Sequence, residues 1–125
     1  MDLLVRFAPA EARSLLVSSI AHDSVGYQGL KHLVELNVTE AVPAIIAYIK
    51  ANRALWNKGH LQTLVAFHAT CAAPLMAELF AGEHDMVRAA WISDALRALS
   101  ERGELSDKDL VGWAKRQVAD AEPCR

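Results

Sequence analysis

The chain has 125 residues, a formal charge of −2, and 53% apolar against 22% charged residues. That is one domain's worth of sequence (1–125), too apolar for a disordered chain and too near neutral for a nonspecific binder of nucleic acid. Ala (22) and Leu (16) dominate, aromatics reach only 6%, and Gly (6) and Pro (4) are scarce, a mixture that favours packed helices over sheet. No stretch approaches the roughly 18 uncharged apolar residues of a membrane span, and the opening MDLLVRFAPA lacks the basic region and long apolar run of a secretory signal. Two cysteines, Cys71 and Cys124, do not make a disulfide framework. The expected compartment is the cytoplasm. Arg (8) outnumbers Lys (5), which beside the abundant Ala points to a GC-rich bacterial genome.

Seven helices are expected in chain order. The first covers about 9–21, with Pro9 at its start and Glu11 in its first turn. Asp23 or Ser24 caps the second, which carries Val25, Leu30, Leu33 and Val34 and stops near Asn37. Thr39 caps the third, 40–51, with Pro43 in its first turn and Ile45, Ile46 and Ile49 on one side. The fourth spans about 55–69. Thr70 opens the fifth, with Pro74 in its first turn, and Asp85 caps the sixth, which ends before Gly103. Ser106 followed by Asp109 resembles a capping box and starts the last. No window alternates with period 2 over the length of a strand.

The helices repeat. Leu30, Leu61 and Ile92 share a register position, as do Leu33, Leu64 and Ala95, and Val34, Val65 and Leu96, each at a constant step of 31 residues. Ala41-Val42-Pro43 aligns with Ala72-Ala73-Pro74 at the same step, and Val25, Trp56 and Val87 complete the register. Three helix pairs and a final single helix are the natural division, and a period of this length implies stacked pairs, each burying its apolar face against its neighbours.

Pro74-Leu75, then Asp85-Met86-Val87-Arg88-Ala89-Ala90 and Ala95-Leu96, resemble the HEAT-like helical repeat family in its short variety, with a period near 30. The second unit departs from that pattern at Ala54 and Asn57, where the family tends to have Asp and Arg, and the first keeps Asp23 and Val25 but has Gly26. The likeness covers about residues 9–101. It implies a short right-handed α-solenoid of about three helix pairs plus a C-terminal helix, used as a binding scaffold whose second helices line a concave face, and rarely itself an enzyme.

The residues themselves offer little chemistry. His68 and Cys71 stand three apart, but a zinc site needs four ligands, or three and water, and neither CxxC, HExxH nor HxxxH occurs. Cys71 reads as a buried thiol near a partly buried histidine, with no base and orienting group to make it a nucleophile. The carboxylates Asp85 and Asp107 read as helix-start residues, and Glu101 and Glu104 as a solvated turn around Gly103. No Gly-rich phosphate loop exists. Trp56, Trp91 and Trp113 suit helix seams, Trp56 within the core register. No metal, no cofactor and no catalysis are therefore expected.

Charge is uneven: 41–77 carry Lys50, Arg53 and Lys58 and no acid, whereas 78–109 carry eight carboxylates against four cations. Such asymmetry can steer a charged protein partner. With Leu30, Leu33 and Val34 inward, the outward ladder reads Gln28, Lys31, His32 and Glu35; then Gly59, Gln62, Thr63 and Ala66; then Ala90, Ser93, Asp94 and Arg97. The expected partner-binding set is Lys31, His32, Glu35, Gln62, Thr63, Asp94, Arg97, Glu101 and Glu104, with the small Gly59, Ala66 and Ala90 allowing close approach. The function expected from these features is binding of one protein, with no nucleic acid and no membrane. Its most concrete form is a small immunity-type inhibitor that blocks a toxin's active site, its acidic groups mimicking phosphate if that toxin is a nuclease. A generic HEAT-like adaptor or assembly chaperone is one rival. A small enzyme or enzyme subunit of the tetrapyrrole-chromophore lyase type, using Cys71 or His68, is the other. A homodimer burying the same face is also compatible with the sequence.

Overall fold

The computed structural model describes residues 17, 18, 20, 27–53 and 55–124, and among them the secondary structure is helical with no strand. Six α-helices follow one another: α1 Tyr27–Glu35, α2 Ala41–Ala51, α3 Lys58–Ala66, α4 Ala73–Gly82, α5 Met86–Ser100 and α6 Asp107–Lys115, with a 3-10 turn, Thr70–Ala72, leading into α4. The all-α expectation holds for these residues. Most of the expected first helix, the caps Asp23 and Ser24, and Val25, Gly26 and Ala54 lie outside the described residues, as does the side chain of Gln28.

Helix α3 packs between α1 and α5 and also touches α2, while α4 and α6 pack on α5 and on each other. The register residues meet at these seams. Leu30, Leu33, Leu61, Leu64, Ile92, Ala95 and Leu96 are all buried, whereas Val34 and Val65 are half-buried against the same core. Burial of side chains such as Leu64, Ile45, Ile49 and Met76 supplies the main driving force, each worth about 1.5–3 kcal/mol.

The helix starts follow local chemistry. Asp85 accepts from the backbone N–H groups of Val87 and Arg88, at 2.8 and 3.2 Å, and Ser106 accepts from that of Asp109. Three starts differ from expectation. Thr70 opens a 3-10 turn, and the α-helix after it, α4, begins only at Ala73 with no side-chain cap. Helix α3 begins at Lys58 rather than near 55, because Leu55 N–H and Trp56 N–H turn back onto the Asn52 carbonyl and Asn57 then runs extended. Asn57 is its cap, accepting from Gly59 N–H at 2.8 Å while His60 Nδ1 accepts from Asn57 N–H at 3.1 Å, a reciprocal box with histidine as the return partner. Thr39 is not a side-chain cap: α2 begins after Glu40, in helical conformation, on the turn bonds Ala41 N–H to Val38 O and Val42 N–H to Thr39 O.

The turns closing α1 and α3 are the same structure. Asn37 and His68 both take left-handed backbone, φ 54° and 52°. Asn37 N–H donates to Val34 O and Val38 N–H to Leu33 O; 31 residues on, His68 N–H donates to Val65 O and Ala69 N–H to Leu64 O. These are the paired bonds of a Schellman ending, with the apolar residue after the left-handed position, Val38 or Ala69, buried. The next bonds coincide too, Thr39 N–H to Asn37 O and Thr70 N–H to His68 O, then Ala41 N–H to Val38 O and Ala72 N–H to Ala69 O. Helix α5 departs from the pattern and runs on to Glu101, φ 58°.

Arg88 locks α5 to the segment before α3. Its guanidinium lies 3.9 Å over the Trp56 ring, donates to the carbonyls of Trp56 (3.0 Å) and Arg53 (3.3 Å), and pairs with Glu83 at 3.2 Å. The Asp85 N–H, donating to Glu83, and then the Arg88 guanidinium hold the Glu83 carboxyl below the usual glutamate range. Val87, expected to share the register of Trp56, is 59% exposed. The cause is the different helix start: position 87 lies inside the first turn of α5, whereas Trp56 precedes α3, in the turn closed on the Asn52 carbonyl, and lies under Arg88.

The cysteine expectation is overturned. Cys71 and Cys124 form a disulfide across 53 residues of sequence, with Cα atoms 6.0 Å apart. Cys71 is therefore no free thiol, and His68 beside it is exposed rather than partly buried, its place set by the left-handed turn. Disulfides persist in oxidising compartments, so the two cysteines no longer argue for the cytoplasm. No described helix is long and apolar enough to cross a membrane.

Candidate partner-binding face

Because α1, α3 and α5 lie side by side, the grooves between them form one run of surface. The α1/α3 groove, about 470 Å³, is lined by Leu30, Lys31, Val34, Glu35, Gln62 and Thr63 together with Gly59. The α3/α5 groove, about 170 Å³, shares Gln62 with it and adds Trp91 and Asp94 over a floor of Leu61, Val65 and Ala95. A third depression, about 460 Å³, shares Asp94 and runs past Arg97 to Asp107 and the exposed Met86. Gln62 and Asp94 thus stand where neighbouring grooves meet.

Of the expected set, Lys31, Glu35, Gln62 and Asp94 are exposed along these grooves. His32 is half-buried and its Nδ1 lies 3.2 Å from Glu35 Oε2. Two residues have different roles from those expected. Thr63 is buried, 4% exposed, because its hydroxyl turns back to donate to the Gly59 carbonyl at 2.8 Å. Gly59 is buried with it, so it does not thin an outer surface. Arg97 faces the next turn of chain: it pairs with Asp107 at 2.8 Å, donates to the Leu105 carbonyl at 3.2 Å, and donates to Ser93, whose hydroxyl donates in turn to Asp107. It braces the start of α6 against α5. Glu101 and Glu104 are exposed in the turn between those helices, outside the three grooves.

On the opposite side, Arg53 of the basic middle pairs with Glu78 at 2.9 Å, both side chains at least half exposed. Lys50 borders a further groove with Ile46, Leu75, Glu78 and the chain's end. Among the described residues no three His, Cys, Asp or Glu side chains converge as a metal site would require. What the α1/α3/α5 face presents is a shallow, mixed surface: apolar floors, one half-buried indole, and charges of both signs at the rims. No family model, curated protein or solved structure matches the chain.

Proposed function

We propose that this chain is a HEAT-like repeat module that binds one protein through the face of α1, α3 and α5, in its most concrete form an immunity-type inhibitor that covers a toxin's active site. The observation that carries the reading is the continuity of that face, whose grooves meet at Gln62 and Asp94. The recurrence of one hydrogen-bonded turn at a step of 31 residues supports the repeat parentage and the solenoid arrangement. Extended faces of this kind are what stacked helix pairs offer a partner. Of the two residues named for the enzyme alternative, Cys71 is bonded to Cys124, which leaves His68 to carry that reading.

The test is a titration of the full chain against the product of the gene beside its own. The expected outcome is a 1:1 complex, loss of the neighbour's activity at one equivalent, and weakened binding on Asp94→Lys. Several partners of modest affinity would favour the adaptor or chaperone reading, and a bound tetrapyrrole absorbing in the visible would favour the enzyme reading.

A further inference from the structure

The last residues of the chain leave α6 and return across the molecule. After Lys115, the described segment 116–124 contains no α-helix; its Ala119, Asp120 and Cys124 border a groove of about 400 Å³ between α2 and α4, whose other walls include Ile46, Lys50 and Leu75. The bonds Cys124 N–H to Ala121 O and Gln117 N–H to Ala114 O are local. Ala121 and Cys124 pack on the core and Pro123 is half-buried, whereas Val118 is 68% exposed. One covalent bond, Cys71–Cys124, fixes the end of this segment to the turn before α4. The bond itself borders the open groove, with Cys124 half-buried and Cys71 almost wholly covered.

We infer that residues 117–124 form a strap latched along the α2/α4 groove by the Cys71–Cys124 disulfide, and that reduction by a dithiol releases the strap while the helices stay folded. The thiolate of the dithiol attacks the more accessible sulfur, that of Cys124; the S–S bond breaks and Cys71 leaves as a thiolate that takes up a proton. The second thiol of the reductant then attacks the mixed disulfide, so the reductant becomes a cyclic disulfide and Cys124 leaves as the second thiol. Two electrons pass to the protein, and the groove beside Ile46 and Leu75 loses the wall formed by Ala119, Asp120 and Cys124. Helices α1, α3 and α5 contribute no residue to this groove, so the inference is independent of the proposed binding face.

The experiment is alkylation of the full chain by iodoacetamide after reduction with dithiothreitol, read site by site by mass spectrometry, with far-UV circular dichroism in parallel. In the oxidised chain neither cysteine reacts. After reduction, Cys71 is expected to react within about tenfold of the rate of Cys124, since the side chain covering it has moved away, with the helical signal retained. Cys124→Ser without reductant should expose Cys71 to the same degree. Modification of Cys124 alone would show that the segment stays seated without its bond. Collapse of the helical signal on reduction would show a staple for the whole fold. Either result overturns the strap.

Discussion

Arg88 presents all three guanidinium nitrogens and one face to the rest of the chain, and this explains its place better than any surface role would. Arg88→Ala leaves two carbonyls and the Glu83 carboxylate without their donor and uncovers Trp56; it should cost about 1–3 kcal/mol in urea denaturation. Arg88→Lys should recover only part of this, because an ammonium lacks the planar fork. Glu83 gives the pair a pH signature. Its folded pKa lies below its unfolded value, so the stabilisation is complete above the ordinary glutamate range and is lost as pH falls through the lowered value. Wild-type stability should therefore decline more steeply on the acid side than that of Glu83→Gln, by thermal denaturation across a pH series. Asp85 was legible as a helix start; that Arg88 reaches back 32 residues to the Trp56 carbonyl was not, since local spacing carries no information on which loop a cation meets. His68 and Cys71 were misread for a related reason. They read as a partly buried histidine beside a buried thiol, but His68 takes the exposed left-handed position that ends α3, and the partner of Cys71 lies 53 residues away in sequence.

At the scale of single elements, helix ends were legible wherever a side chain makes the end. Asp85 and Ser106 fix the starts of α5 and α6 as expected. Where backbone bonds make it, as at Thr39 and Glu40, composition misled, since a threonine before a helix looks like a cap whether or not its hydroxyl is used. The left-handed endings yield a specific expectation. A non-glycine residue there carries a steric cost of about 1–2 kcal/mol, which glycine avoids. His68→Gly should raise the urea midpoint slightly, the gain offset in part by glycine's freedom in the unfolded chain, whereas the β-branched His68→Val should lower the unfolding free energy by about 1–2 kcal/mol. The same pair of changes at Asn37 should give the same signs, because the bonds around it are the same. Leu64 lies on the helix held between α1 and α5 and is fully buried, so Leu64→Ala should cost about 2–5 kcal/mol by chemical denaturation.

For the whole molecule, the inward side chains of α1, α3 and α5 were legible from their apolar spacing, since Leu30, Leu33, Leu61, Leu64, Ile92 and Ala95 are all buried. The outward set was legible only in part: Thr63 is buried with its hydroxyl on the Gly59 carbonyl, and Val87, inside the first turn of α5, is exposed. The path of the tail back to Cys71 had no periodic signal to announce it. Among the charged members of the face, Arg97 is committed to Asp107, whereas Asp94 is exposed and stands at the junction of two grooves. Asp94 is therefore the residue through which long-range attraction of a cationic partner should act. Asp94→Lys should slow association with the partner by about tenfold at low ionic strength, and the deficit should shrink toward nothing as salt shortens the screening length. Folding stability should move by less than about 0.5 kcal/mol, since the side chain is exposed. Lys50→Glu is the matched comparison, because Lys50 lies by the α2/α4 groove and borders none of the three grooves of the proposed face. Stopped-flow association rates for the two variants separate the possibilities: a salt-dependent loss confined to Asp94→Lys assigns encounter to the proposed face, and one confined to Lys50→Glu moves it to the α2/α4 groove.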